Sequence, residues 1–149
     1  IKAAIELYET PCIIIDFGTA ITYDVINKNK EFIGGVIAPG VETSAEYLIS
    51  KAALLNSTDL KFPNKAIGIN TIQNIQSGIM FGAVDAVEGM VNRIKYEMNW
   101  KKCNMIVTGG FGGLIAPHLK TKHNYLPNLT LDGIRIIYGK NSPSKIPRL

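Results

Sequence analysis

Asp16 closes the apolar run Ile13-Ile14-Ile15 and is followed at once by Gly18 and Thr19, with Thr22 and Asp24 a few positions on. A carboxylate at the mouth of a buried strand is costly to leave unpaired, so this position calls for a cation, a phosphate-bound metal or a proton to transfer. Gly18 permits a backbone conformation closed to other residues. Thr19 and Thr22 add hydroxyls beside the N–H groups of the turn, a combination suited to holding a phosphate or a cation. The segment reads as half of a nucleotide site. A partner for it lies in Thr108-Gly109-Gly110-Phe111-Gly112-Gly113, which follows a second apolar run, Met105-Ile106-Val107, and precedes a helical stretch. Strand, glycine cluster and helix start let a backbone approach a nucleotide closely. Gly-Gly alone is a common tight turn; beside Asp16-x-Gly18-Thr19 it says more.

Each of these residues also has a plain structural reading. Thr19 and Thr22 suit a strand as β-branched residues, although Thr19 after Asp-x-Gly reads first as a phosphate contact. Asp24 stands near a polar turn and is as readily a solvated residue as a site residue. Thr71 reads as the N-cap of a long helix, and a helix start that offers its N–H groups to a ligand offers that hydroxyl as well. A capping box would need Glu or Gln three residues on, where Asn74 stands. His118 and His123, five apart and off the i, i+4 register of shared metal ligands, read as surface or packing residues. Asp16-Phe17-Gly18 spells the magnesium motif of protein kinases, but no H-R-D loop accompanies it, and a Walker A sequence is absent.

Three consecutive Ile cannot alternate in and out, so they predict a strand covered on both faces, in the middle of an α/β sheet. A helix over 1–8 precedes it, ending before Pro11. Strands are expected at 12–16, 20–27 and 31–38, the last two joined through Asn27-Lys28-Asn29-Lys30. After Pro39-Gly40 a helix over 41–55 places Val41, Ala45, Leu48, Ile49, Ala52 and Leu55 on one face. A surface loop over 56–65 and a short extended piece at 66–69 lead to a long helix from Thr71 to about Met98. Its small residues Gly78, Gly82, Ala86 and Gly89 form one stripe. Each interior Gly costs about 1 kcal/mol against Ala, so another backbone is expected to come close there. A final helix over 128–139 is expected to turn Leu131, Ile134, Ile137 and Tyr138 inward.

The 149 residues, 46% hydrophobic and 19% charged, fit one globular domain or one lobe of a two-lobed protein. The net charge of +4 is carried partly by Lys101, Lys102, Lys120 and Lys122 and by the tail residues Lys140, Lys145 and Arg148. No basic run is interleaved with aromatics, which argues against a nucleic-acid face. Cys12 and Cys103 open apolar runs without a C-x-x-C and read as reduced core thiols of a cytosolic protein. No segment reaches the roughly eighteen apolar residues of a membrane span. The chain starts on Ile1 inside a helical stretch, which points to a fragment.

Taken in order, Asp16-Phe17-Gly18-Thr19-Ala20-Ile21-Thr22-Tyr23-Asp24, Gly34-Gly35-Val36-Ile37-Ala38-Pro39-Gly40, Thr71 with Ser77-Gly78, Thr108-Gly109-Gly110 and Leu129-Thr130-Leu131-Asp132-Gly133 span nearly the whole chain. The pattern resembles the C-terminal half of the acetate and sugar kinase, heat-shock ATPase and actin superfamily, and within it type III pantothenate kinase. Ile21 departs from the family's Thr-Ala-Thr-Thr, which removes one hydroxyl beside the phosphates. The resemblance implies an α/β, ribonuclease H-like or actin-like ATPase lobe, with a central mixed sheet in β-β-β-α-α-β-α order flanked by helices. The lobe would occupy residues 1–140, with a basic tail at 141–149.

It further implies ATP-dependent, Mg2+-supported phosphorylation of pantothenate to 4′-phosphopantothenate by a cytoplasmic homodimer. Residue by residue, Asp16 matches the family's ligand for a monovalent cation, potassium or ammonium. Gly18, Thr19 and Thr22 match ATP contacts, Gly109 and Gly110 the adenosine side, and Thr71 a pantothenate contact given across the dimer. The family's Asp-x-Gly-Asn-Thr phosphate loop and the Gly-x-Asp-Arg segment with the catalytic base would lie upstream of Ile1. Asp16, which the residues alone would also allow as a base, is then a cation ligand, and the chain as it stands is expected to be catalytically incomplete. Two other expectations stay open: a non-catalytic binding or regulatory module of the same fold, and a small-molecule kinase of the superfamily with another substrate.

Overall fold

The computed structural model describes residues 1–51 and 59–141. The expected tail, apart from Asn141, and the end of the helix expected to reach residue 55, with Ala52 and Leu55, lie outside the described residues. In chain order the elements are α1 (Lys2–Leu7), β1 (Cys12–Phe17), β2 (Ala20–Ile26), β3 (Phe32–Pro39), α2 (Val41–Lys51), α3 (Thr71–Glu97), β4 (Asn104–Thr108) and α4 (Gly112–Ile115). A 3-10 turn (Ala116–His118), β5 (Asn124–Tyr125) and α5 (Leu129–Asn141) complete the chain. The strands form one mixed sheet in the order β3-β2-β1-β4-β5. β1, β2 and β3 are antiparallel neighbours, whereas β4 runs parallel to β1 and β5 parallel to β4.

β1 is central and covered on both sides, as its isoleucines require. Ile13, Ile15 and Phe17 join Tyr23, Val25, Met105 and Val107 in a core closed by Val41 of α2 and by Met80, Val84, Val87, Val91 and Ile94 of α3. The alternate residues Cys12 and Ile14 join Ile26 and Ile106 on the opposite face, under Ala3 and Ala4 of α1 and Leu129 of α5. Burial pushes the Cys12 thiol up to about 11 and the Cys103 thiol up to about 12, so neither is a thiolate near neutral pH.

Three expectations about packing change. α5 turns its other stripe inward: Leu129, Gly133 and Ile136 meet α1, where a Cβ at Gly133 would stand 3.7 Å from Ala3 N. The predicted face is outside, with Leu131 65%, Ile134 60% and Tyr138 70% exposed. In α2, Val41 and Ala45 are buried but Leu48 is not. The cap of α3 is Asn70 instead of Thr71. The Asn70 side chain accepts from Gln73 N at 2.9 Å while Gln73 Oε1 accepts from Ile69 N at 3.0 Å. That is a reciprocal cap one residue earlier than expected.

Candidate functional site

Asp16 and Phe17 end β1, and the chain reverses through Gly18 and Thr19 into β2. In register, Asp16 faces Thr22 of β2 and Thr108 of β4, so all three share the sheet face opposite α3. Asp24 lies on that face too. Toward the start of β1 this face is sealed by α1 and α5; toward its end it is open, and Ile37 of β3, opposite Thr22, is 80% exposed. The carboxylate of Asp16 is half-buried, and no donor among the described residues reaches it. Burial, and then the neighbouring Asp24 charge, raise its pKa above the ordinary carboxylate value. Both effects disfavour the charged carboxylate, and a positive charge placed beside it would offset them.

The hairpin is fixed from below. Thr19 O accepts from Gly40 N at 3.0 Å and from Thr43 Oγ1 at 2.8 Å, so the first turn of α2 grips its backbone. A Cβ at Gly40 would fall on Thr19 O and at 2.5 Å from Gly18 O, which is why Pro39 is followed by glycine. The Thr19 hydroxyl is exposed and has no partner among the described residues.

The glycine cluster divides its labour. Gly109, at φ +93, lies so close to Asp16 and Phe17 that a Cβ there would fall on Asp16 Oδ1 and 2.5 Å from Phe17 N. Phe111 N then donates to Phe17 O at 3.1 Å, which locks this turn to the end of β1. Gly112 and Gly113 make room for a ring: a Cβ at Gly112 would stand 3.0 Å from Tyr125 Cε2, and one at Gly113 2.9 Å from Tyr125 Oη. Only Gly110 of the four opens onto free space, with nothing within 4 Å among the described residues, so it is the position at which a ligand can reach the backbone.

Asp16, Gly18, Thr19, Thr22, Gly109 and Gly110 therefore gather at one end of the sheet. Thr71 stands apart from them. It is exposed at the start of α3, on the other side of the sheet, and with Asn70 capping the helix its hydroxyl has no partner among the described residues. Among the described residues the outward stripe of α3 has no neighbour: nothing lies within 4 Å of a Cβ at Gly78, Gly82 or Gly89. Among the described residues no group of three His, Cys, Asp or Glu could hold a metal ion, and no helix is long and apolar enough to cross a membrane.

Two supporting residues escape sequence reading. Glu88 of α3 accepts from the backbone N–H groups of Lys120 at 2.7 Å and Thr121 at 2.8 Å and from the Thr121 hydroxyl. Burial alone would raise its pKa, but these bonds outweigh it and lower the value. The anchored segment leads into β5 and so to Tyr125 over the glycines. A two-residue strand leaves no periodicity to read, and the long-range bond to Glu88 leaves no local pattern.

A family model described as type III pantothenate kinase matches residues 1–93. Type III pantothenate kinases of Moorella thermoacetica and Dehalococcoides mccartyi are 42% identical over 140 residues and 43% identical over 139 residues. The matches cover 94% and 93% of this chain but 55% and 52% of those proteins, so the chain spans about half the length of the curated relatives it matches. Among solved structures, one described as a Baf family transcriptional activator from Campylobacter jejuni superposes at a TM-score of 0.64 with 22% identity, over 94% of this chain and 62% of that one. The activator of 2-hydroxyisocaproyl-CoA dehydratase from Clostridium difficile, with bound ADPNP, gives 0.52 with 12% identity, over 99% and 69%. These structures show the fold, a mixed α/β sheet flanked by helices of the actin-like ATPase kind.

Proposed function

The chain belongs to the type III pantothenate kinase family, and from that premise we propose that it forms the C-terminal half of a cytoplasmic, homodimeric enzyme that transfers the γ-phosphoryl group of ATP to the hydroxyl of pantothenate. The observation that carries the reading is the gathering of an unpartnered carboxylate, a free threonine hydroxyl and one open glycine at a single end of the sheet. Gly18, Thr19 and Thr22 would bind the phosphates, and Gly109 with Gly110 would lie along the adenosine. Asp16 would hold a monovalent cation, whose charge offsets that of the phosphates where two anionic substrates meet. Mg2+ would travel with the nucleotide. In this reading the chain binds and orients the nucleotide, and the base that takes the pantothenate proton lies upstream of Ile1.

Thr71 would reach pantothenate from the partner subunit, since it stands on the far side of the sheet from Asp16 within one chain. The glycine stripe of α3 supports the dimer, because each of its interior glycines costs about 1 kcal/mol that no contact among the described residues offsets. Sedimentation is expected to give a dimer at micromolar concentration, and Gly82→Arg a monomer. A monomeric parent chain would count against the dimer.

The functional test is phosphopantothenate formation from ATP, with and without potassium or ammonium, in this chain and in one extended upstream. Turnover that needs both the extension and the cation is expected. An extended protein that carries the Asp-x-Gly-Asn-Thr and Gly-x-Asp-Arg motifs yet makes no phosphopantothenate would refute the reading.

A further inference from the structure

Residues 59–69 run irregularly into α3, and no backbone–backbone hydrogen bond ties them to the described residues. Side chains of α3 hold them instead. Gln76 Nε2 donates to Asp59 O at 2.8 Å, Ser77 Oγ donates to Ala66 O, and Gln73 Oε1 accepts from Ile69 N at 3.0 Å. Residues 73, 76 and 77 fall at i, i+3 and i+4, one face of the helix.

Leu60 and Phe62 anchor the loop on the core, and Phe62 also carries the aromatic contacts. Phe81 of α3 meets its edge, with ring centroids 5.4 Å apart, and the His118 imidazole stacks on it at 3.5 Å and 18°. Unlike Gln73, Gln76, Ser77 and Phe81, His118 does not belong to α3. It comes from the 3-10 turn that follows α4 and closes the segment running from the glycine cluster to His118. An open pocket of about 420 Å3 is lined by Phe62, Ile67 and Ile69 of the loop together with Gln73 and Gln76 of α3. Ile69 and Gln73 are each two residues from Thr71.

We propose that His118 is a positioning residue: stacked on Phe62, it clasps the loop over 59–69 against α3 and so holds the pocket wall beside Thr71. The clasp rests on the reading of Thr71 as the pantothenate contact for its functional consequence, though not for its existence. It also joins the two halves of that reading, since the segment ending at His118 starts at the glycines on the nucleotide side while the loop it holds borders the acceptor side. An aromatic pair of this kind shifts a local opening equilibrium by about threefold to tenfold.

The experiment uses His118→Ala and His118→Tyr. In the chain described above, His118→Ala is expected to speed hydrogen exchange at the Ile69 amide by about fivefold while amides of β1 and β4 keep their rates, and His118→Tyr is expected to restore protection. In the protein extended upstream, His118→Ala is expected to raise KM for pantothenate about fivefold with kcat within twofold, and the tyrosine variant to reverse it. Unchanged exchange in His118→Ala, no restoration by tyrosine, or a fall in kcat at constant KM would each overturn the proposal. If the extended parent protein makes no phosphopantothenate, the functional reading fails, while the exchange data still decide whether the clasp exists.

Discussion

Gly109→Ala is expected to destabilise the fold by about 3–5 kcal/mol, the range of the severe backbone and steric effects. Two costs combine. At φ +93 an L side chain is strained whatever the space around it, and the added methyl would fall on Asp16 Oδ1 and within 2.6 Å of Phe17 O. The Phe17 backbone cannot give way cheaply, because Phe17 is completely buried and its carbonyl accepts from Phe111 N. Gly110→Ala is the matched control: nothing among the described residues lies within 4 Å of an added Cβ and its φ is ordinary, so the urea midpoint should stay near that of the parent chain. A Gly109→Ala variant that unfolds at the parent midpoint would show that the turn is not built as described.

Asp16→Asn is expected to lower ATP-dependent turnover in the extended protein by about 100-fold or more, the usual loss when a group facing developing phosphate charge is removed. The same change should leave the fold at least as stable as before. Burial and the Asp24 charge raise the folded-state pKa of Asp16, so the native state binds the proton more tightly than the unfolded chain does. Stability associated with Asp16 is therefore highest at low pH, falls as pH rises from the unfolded value through the raised folded value, and stays lower above it. The asparagine variant lacks that fall, so its gain over the parent should appear above this window and vanish below it. Turnover and urea titrations between pH 3 and 7 check both halves. A variant that keeps its activity would remove Asp16 from the site.

The central strand, its carboxylate and the turn were legible because each leaves a local mark: three adjacent Ile cannot alternate, and Asp-x-Gly-Thr joins a strand end to a reversal. The order of the three leading strands and the extent of α3 followed from punctuation by Pro39-Gly40 and by the polar residues before Thr71. The inward face of α5 was not legible, for a physical reason. Leu131, Ile134 and Tyr138 form an apolar stripe at i, i+3 and i+7, but Leu129, Gly133 and Ile136 form another, and periodicity cannot choose between them. The choice is made by Ala3 and Ala4 of α1, whose small side chains pack where α5 has a glycine. The displaced cap had a signal: Asn70 with Gln73 three residues on fits the capping-box spacing better than Thr71 with Asn74. In the glycine cluster, sequence gives four equivalent openings; the close approach of Asp16 and Phe17 to Gly109, and the Tyr125 ring over Gly112 and Gly113, leave Gly110 as the free one among the described residues, and the bonds of Glu88 to Lys120 and Thr121 that anchor the Tyr125 segment leave no local pattern.

β3 forms one border of the sheet, and it carries Phe32, Ile33 and Ile37 into solvent. A strand with one unpaired row of amides and carbonyls and greasy side chains is a template for further strands, so preparations of this chain should clump when concentrated, through open-ended stacking that has no preferred number of copies. Pairing through α3 would instead saturate at two. The shape of the concentration dependence, and not the mere presence of large species, is thus what separates adhesion at the rim from specific assembly.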